Sequence, residues 1–160
     1  MAKANSTGQA SPLRFHRNRK IDAHQLPFVG LSKGKAADFW ALPASGGYWG
    51  GHMAGEAMAA AYMKHLRARR GEYFGGELQS IAIAMADKRR QATSHRDKRS
   101  IDGQMVGFFG ALDQWLCAAS TSLGAGLERF SDAELVAKAN EGLGLATEAE
   151  EIAHFEQHLK

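Results

Sequence analysis

Cysteine is nearly missing from this chain. The single one among 160 residues, Cys117, rules out an internal disulfide framework. It lies in the apolar run LDQWLCAAS, and it reads as a small core residue rather than a nucleophile. Long apolar runs are missing too. None approaches the ~18 residues needed to cross a bilayer. The opening MAKANSTGQASPLRFHRNRK has no apolar stretch of the kind a secretory signal needs. The expectation is a reducing, cytoplasmic setting with no membrane partner. No segment alternates at period two and no internal repeat is visible, so strands have no support in the pattern. The signatures GxGxxG, GxSxG and HExxH do not occur. VGLSKGKA, residues 29–36, fails as a phosphate-binding loop: three residues, not four, separate Gly30 from Gly34, and Ala36 stands where Ser or Thr should follow Lys35.

What is present is an ordinary soluble composition, 44% hydrophobic, in a chain long enough for one domain with or without a small appendage. The net charge of +3 hides a division. Residues 1–100 hold 17 Lys and Arg against 7 Asp and Glu, a net of +10, while residues 101–160 hold 3 against 10, a net of −7. Such a split suggests an anionic partner for the first part, docking of the acidic tail onto it, or simply two solvated surfaces of opposite sign.

Residues 1–20 are polar, basic and without periodicity, which reads as a disordered arm. Arg14, Arg17, Arg19 and Lys20 are interleaved there with Phe15 and His16. Residues 21–46 hold two of the three prolines and no helical period. Their apolar pieces, anchored by Phe28, Phe39 and Trp40, are expected to lie extended across the outside of a core.

From about residue 47 the pattern becomes helical. A first helix is predicted from near Gly47 to Arg70, with Gly55, Met58, Ala59, Tyr62 and Leu66 on one face. A second runs from about Phe74 to Gln91 and ends in Lys88, Arg89 and Arg90, cations suited to a last turn. The polar stretch ATSHRDKRSID then reads as a link. A third helix is predicted from about Gly103 to Leu123, striped by Met105, Phe108, Phe109, Leu112, Trp115, Leu116 and Ala119 and small on its other side, hence buried on both. Ser131 with Glu134, and Thr147 with Glu150, form two capping boxes that open a pair of short acidic helices, and Phe130 and Leu135 are placed as a hydrophobic staple on the first. The fold expected is all-α: a three-helix core with a C-terminal helical hairpin and an extended, partly disordered N-terminal segment. The expected divisions are a basic arm at 1–20, the helical core with its N-terminal wrap at 21–125, and the acidic hairpin at 126–160.

Gly47, Gly51, Gly55 and Ala59 recur every four residues, as do Gly103, Gly107 and Ala111. Small residues at that spacing form a flat ridge that lets another backbone approach closely. Short links imply up-down-up packing. One end of the bundle should then gather the glycine-rich stretch GGYWGGH, the basic link and the start of the third helix. Arg89, Arg90, Arg96, Lys98 and Arg99 beside helix N-termini favour an anion there. Tyr48, Trp49 and His52 are the candidate contacts to a ligand or partner. His52 and Glu56, spaced i, i+4, read as a surface pair, since two ligands are too few for zinc. His154 and His158 likewise read as a solvated terminal face. No metal, cofactor or catalytic residue is assigned.

These features suggest a small non-enzymatic accessory or regulatory protein. Its expected partner is nucleic acid or an acidic protein surface, held through phosphate-type contacts by the arm and the basic bundle end. A homo-oligomer is compatible with the pattern. Two alternatives are a protein-binding inhibitor or adaptor using Phe39, Trp40, Tyr48 and Trp49, and an enzyme acting on a phosphorylated substrate with His52 or His95 as acid–base.

Overall fold

Glycines every fourth residue carry no side chain to hold two helices apart, and the fold is arranged around that fact. A computed structural model of the protein describes residues 13, 22–30, 37–69, 76–122, 129 and 131–143. The fold is all-α. A short 3-10 turn at Asp22–Gln25 precedes α1 (Gly47–Ala68), α2 (Glu77–Gln91), α3 (His95–Ser120) and α4 (Asp132–Leu143). Gly46 and Gly47 enter α1 with φ of 78° and 64°, values that side-chain-bearing residues rarely adopt. Among the described residues no helix is long and apolar enough to cross a membrane. The chain divides into two compact units, residues 1–117 and 118–160.

Within the first unit the two glycine ridges face each other. A methyl group placed on Gly51 would lie 2.1 Å from the Ser100 carbonyl oxygen, and one on Gly55 would lie 2.2 Å from that of Gln104. The relation is reciprocal: a methyl on Gly103 would lie 2.0 Å from the Tyr48 carbonyl oxygen, and one on Gly107 2.1 Å from that of His52. Contacts that advance together along both helices mean that α1 and α3 run parallel. Helix α2 returns between them in sequence, and residues 92–94 suffice to link it to α3. Gly47 is not part of this seam, since a methyl there would meet nothing within 4 Å.

The core lies beside the seam. It joins Ala59 and Tyr62 of α1, Ile81 and Met85 of α2, and Phe108 and Leu112 of α3. The remaining members, Leu26, Phe28, Val29, Trp40 and Leu42, come from the segment before α1. That segment is therefore not an outer wrap: Phe28 and Trp40 are fully buried, with ring centroids 5.1 Å apart and 6.2 and 5.2 Å from Phe108. Polar bonds stitch it down. The Trp40 indole donates to Gln104 Oε1 at 2.9 Å, Gln104 Nε2 donates to the Pro43 carbonyl at 2.8 Å, and the Ser100 hydroxyl donates to the Ser45 carbonyl at 2.6 Å. Lys88 Nζ reaches the carbonyls of Trp40 and Leu42 from α2. Burial lowers the pKa of that ammonium, an effect Asp38 opposes.

Three expectations need correction. Helix α3 starts at His95, not near Gly103. The Ser94 hydroxyl accepts the Asp97 N–H at 3.0 Å, so a capped turn forms where the lack of apolar residues suggested a link. Nor is α3 buried on both sides. Its inner face is Ser100, Ile101, Gly103, Gln104, Gly107, Phe108 and Leu112, whereas Phe109, Trp115 and Leu116 are exposed. The glycine seam sets the rotation of the helix, and most of the apolar stripe turns outward with it. Cys117 is exposed for the same reason and is not a core residue.

In the second unit α4 opens with the expected capping box. The Ser131 N–H donates to Glu134 Oε2 at 2.8 Å, and the Glu134 N–H donates to Ser131 Oγ at 3.3 Å. Bonds from the Ser131 backbone and hydroxyl hold the Glu134 carboxyl below its ordinary pKa. Phe130, and the second acidic helix expected after residue 146, lie outside the described residues.

The seam makes two glycines respond oppositely to one substitution. Gly107→Ala forces backbones apart and should lower stability by about 1–3 kcal/mol in a urea titration. Gly110→Ala, exposed on the same helix with nothing within 4 Å, should raise it by roughly 0.5–1 kcal/mol. Gln104→Leu leaves the buried Trp40 indole N–H and the Pro43 carbonyl without their partner, at ~1–3 kcal/mol for each group. The α4 cap contributes fully above the ordinary Glu value of ~4.3 and is lost as pH falls below it through the lowered folded value. Amide exchange at Ser131, whose N–H donates to that carboxyl, reports the loss.

Candidate functional site

Because α1 and α3 are parallel and in register, both begin at the same end of the first unit. A cleft of about 330 Å³ opens there. Gly46, Gly47, Tyr48 and Trp49 line it from α1, and His95, Arg96 and Arg99 from α3. The volume is at the small end of ligand-sized pockets, which run from ~300 to ~1,000 Å³. The early start of α3 matters for this geometry. Arg96 and Arg99 are spaced i, i+3 on a helix and so share a face, instead of lying in a loop.

The charges predicted at this end separate into two groups. Arg89 is bound to Asp102 and Arg90 to Asp87, so both are neutralised within the fold. Arg96, Lys98 and Arg99 have no carboxylate within 4 Å among the described residues. Lys98 lies outside the cleft lining, on a neighbouring face of the same turn. Arg14, Arg17, Arg19 and Lys20 lie outside the described residues.

The backbone adds to the positive field. The first turn of α1 carries no acid and that of α3 carries only Asp97. Cations at a helix N-terminus oppose the macrodipole, each by roughly 0.3–1 kcal/mol. Two parallel N-termini and three uncompensated cations thus concentrate one sign of charge at one end.

An aromatic ledge stands beside them. Trp49 is 73% exposed. Leaving an indole in water forgoes burial worth about 2 kcal/mol. The ring is nonetheless held in place: Tyr48 lies edge-on at 5.3 Å and 84°, and the His52 ring is 6.1 Å away. His52 Nδ1 in turn sits 3.6 Å from Glu56 Oε2, the surface pair that the i, i+4 spacing suggested. Phe39 and Trp40, the other aromatics considered for partner contact, are placed differently. Trp40 is fully buried, so it is not presented to a partner, and Phe39 is half-buried against the core.

Two polar features gain their setting only in the fold. His95 joins the cleft because the Ser94 cap starts α3 one residue before it. The S-x-x-D spacing at residues 94–97 was the available signal. His65, Arg69 and Glu77 form a partly buried cluster where α1 ends and α2 begins. Glu77 Oε2 is 3.4 Å from His65 Nε2, and Glu77 Oε1 accepts from Arg69 Nη1. Their separation in sequence across a turn gave no cue. Among the described residues no three His, Cys, Asp or Glu side chains converge as metal ligands. A second cleft, about 360 Å³, lies near Asp38, Asp87 and Lys88. Its lysine is committed to the Trp40 and Leu42 carbonyls and its charges are mixed, so it serves packing better than binding.

No protein-family model, curated protein or solved structure matches this chain.

Charge crowding at the α3 start has a measurable signature. Arg96→Glu replaces an unfavourable charge by a favourable one at the helix N-terminus. Stability should rise by about 0.3–1 kcal/mol at low ionic strength, and the gain should fade as salt screens it. Equal melting temperatures for both proteins at low salt would show that this end is not under electrostatic strain.

Proposed function

We propose that this chain is a small non-enzymatic accessory protein that binds nucleic acid through its phosphates at the joined N-termini of α1 and α3. One observation carries the reading: Arg96 and Arg99 line the cleft there, with Lys98 on the same turn, all without carboxylate partners among the described residues, while the neighbouring Arg89 and Arg90 are neutralised internally. Three cations without a carboxylate partner among the described residues thus fall within one helical turn. A polyanion relieves the resulting strain, and backbone N–H groups at both helix starts add donors. The basic arm at 14–20 supplies further cations to the same sign of partner. Cationic and aromatic side chains line the cleft, a set suited to holding an anion rather than transforming it.

A second reading has its own observation. Met53 is 69% exposed one helical turn beyond Trp49, so α1 presents an apolar strip to solvent. An acidic protein carrying an apolar contact would fit that strip and the three cations together.

Salt separates these readings. Three phosphate contacts at ~0.7–0.9 of a counterion each predict a roughly 20–40-fold loss of nucleic-acid affinity between 50 and 200 mM salt. The double substitution Arg96→Glu, Arg99→Glu should abolish most of that dependence. Binding that ignores salt, or survives the double substitution unchanged, would reject the site. Retention of a protein from lysate after nuclease treatment, with no affinity for purified nucleic acid, would favour the second reading.

A further inference from the structure

We infer that the cleft recognises a single-stranded nucleic acid, one unstacked base lying on Trp49 while the adjoining phosphate meets Arg96 and Arg99. This rests on the nucleic-acid reading above and narrows it. The feature that narrows it is the indole, not the charge. Phosphate alone explains three cations but leaves Trp49 unused. In a duplex the base faces are occupied by their neighbours in the stack, so an aromatic ring standing beside the backbone has nothing to cover. A single strand offers free base faces, and every base has one.

The ledge is built for such a contact. The Trp49 ring is 73% exposed, yet Tyr48 and His52 brace it at 5.3 and 6.1 Å, so the platform is pre-formed and little side-chain freedom is lost when a base settles on it. Trp49 and the two arginines line one cleft of about 330 Å³. Gly46 and Gly47 line the same cleft, and a methyl group on Gly47 would meet nothing within 4 Å. Cations and ring thus share one small opening. A phosphate and its own or the next base require the same two chemistries. Stacking of this kind tolerates any base, which agrees with a site offering no bidentate amide or carboxylate to read base edges. Trp115, also exposed at 54%, has no such setting: none of the described aromatic rings braces it, and it does not line the cleft.

The test uses the full chain and four probes at one salt concentration: a labelled single strand of about 12 nucleotides, a duplex of the same length, a nucleoside monophosphate and poly-glutamate. Fluorescence anisotropy should show the single strand bound at least ~10-fold more tightly than the duplex. Trp49→Ala should weaken single-strand binding by about 5–150-fold, the effect of removing one stacked base, and leave duplex binding unchanged. Trp49→Phe should restore most of the loss, which a purely structural role for Trp49 would not predict. Arg96→Glu should weaken both nucleic acids. An unchanged melting temperature for Trp49→Ala confirms that the exposed ring is not needed for folding.

Equal affinity for single strand and duplex, insensitive to Trp49, overturns the stacking inference while leaving the phosphate-binding reading in place. A monophosphate bound as tightly as the single strand would convert the cleft into a small-nucleotide site and overturn it too. Binding of poly-glutamate with none to nucleic acid, or no binding to any probe, overturns both readings together.

Discussion

The close approach of α1 and α3 governs everything else in the first unit. Four glycines, two on each helix, abut carbonyl oxygens of the partner so nearly that a single added carbon has no room. Backbones in such contact gain dispersion energy along their whole shared length. Each glycine also costs about 1 kcal/mol of helix propensity. The arrangement holds because the glycines are shared: each one makes room for a carbonyl whose own helix supplies a glycine one turn away. Rotation and register are both set at once, since a shift of either helix by one residue would drive a side chain into the seam.

Parallel packing has an electrical result. Antiparallel neighbours cancel their dipoles, whereas α1 and α3 add theirs at one end. Helix α2 runs the other way and delivers Lys88, Arg89 and Arg90 to that same end. The fold answers with Asp87 and Asp102, and commits Lys88 to carbonyl oxygens. In the first turn of α3, Asp97 is the one acid, and no carboxylate among the described residues pairs with Arg96 or Arg99. Position of the cleft and sign of its charge are therefore both consequences of a steric seam formed a few residues further along the helices.

Much of this was legible in the chain. Glycine at every fourth position announced close approach, and short links announced that the starts of α1 and α3 would meet. Spacing alone could not show which ridge met which. It also could not show that Gly103 and Gly107 would outrank Phe109, Trp115 and Leu116 in orienting α3. An apolar stripe reports burial only if the helix is free to turn that way, and a rigid backbone contact removed the freedom. The start of α3 was missed because Ser94 acts through one hydrogen bond rather than through apolar content. Trp40 is legible as an anchor of the N-terminal segment, but its partner Gln104 is 64 positions away, and a polar residue gives no hint of a place at the core.

The origin of so many core residues in the segment before α1 bears on the order of events during synthesis. Phe28, Val29, Trp40 and Leu42 leave the ribosome early, but Phe108 and Leu112, against which they pack, are made much later. At ~5–20 residues per second the interval is several seconds. Helices α1 and α2 can pair as a hairpin in that time, but the seam that orients them still lacks its second wall. A nascent chain of this protein therefore carries bare aromatic and aliphatic groups until nearly the whole of the first unit has emerged. Its exposure to chaperones, and to its own neighbours on a polysome, is greatest just before α3 arrives.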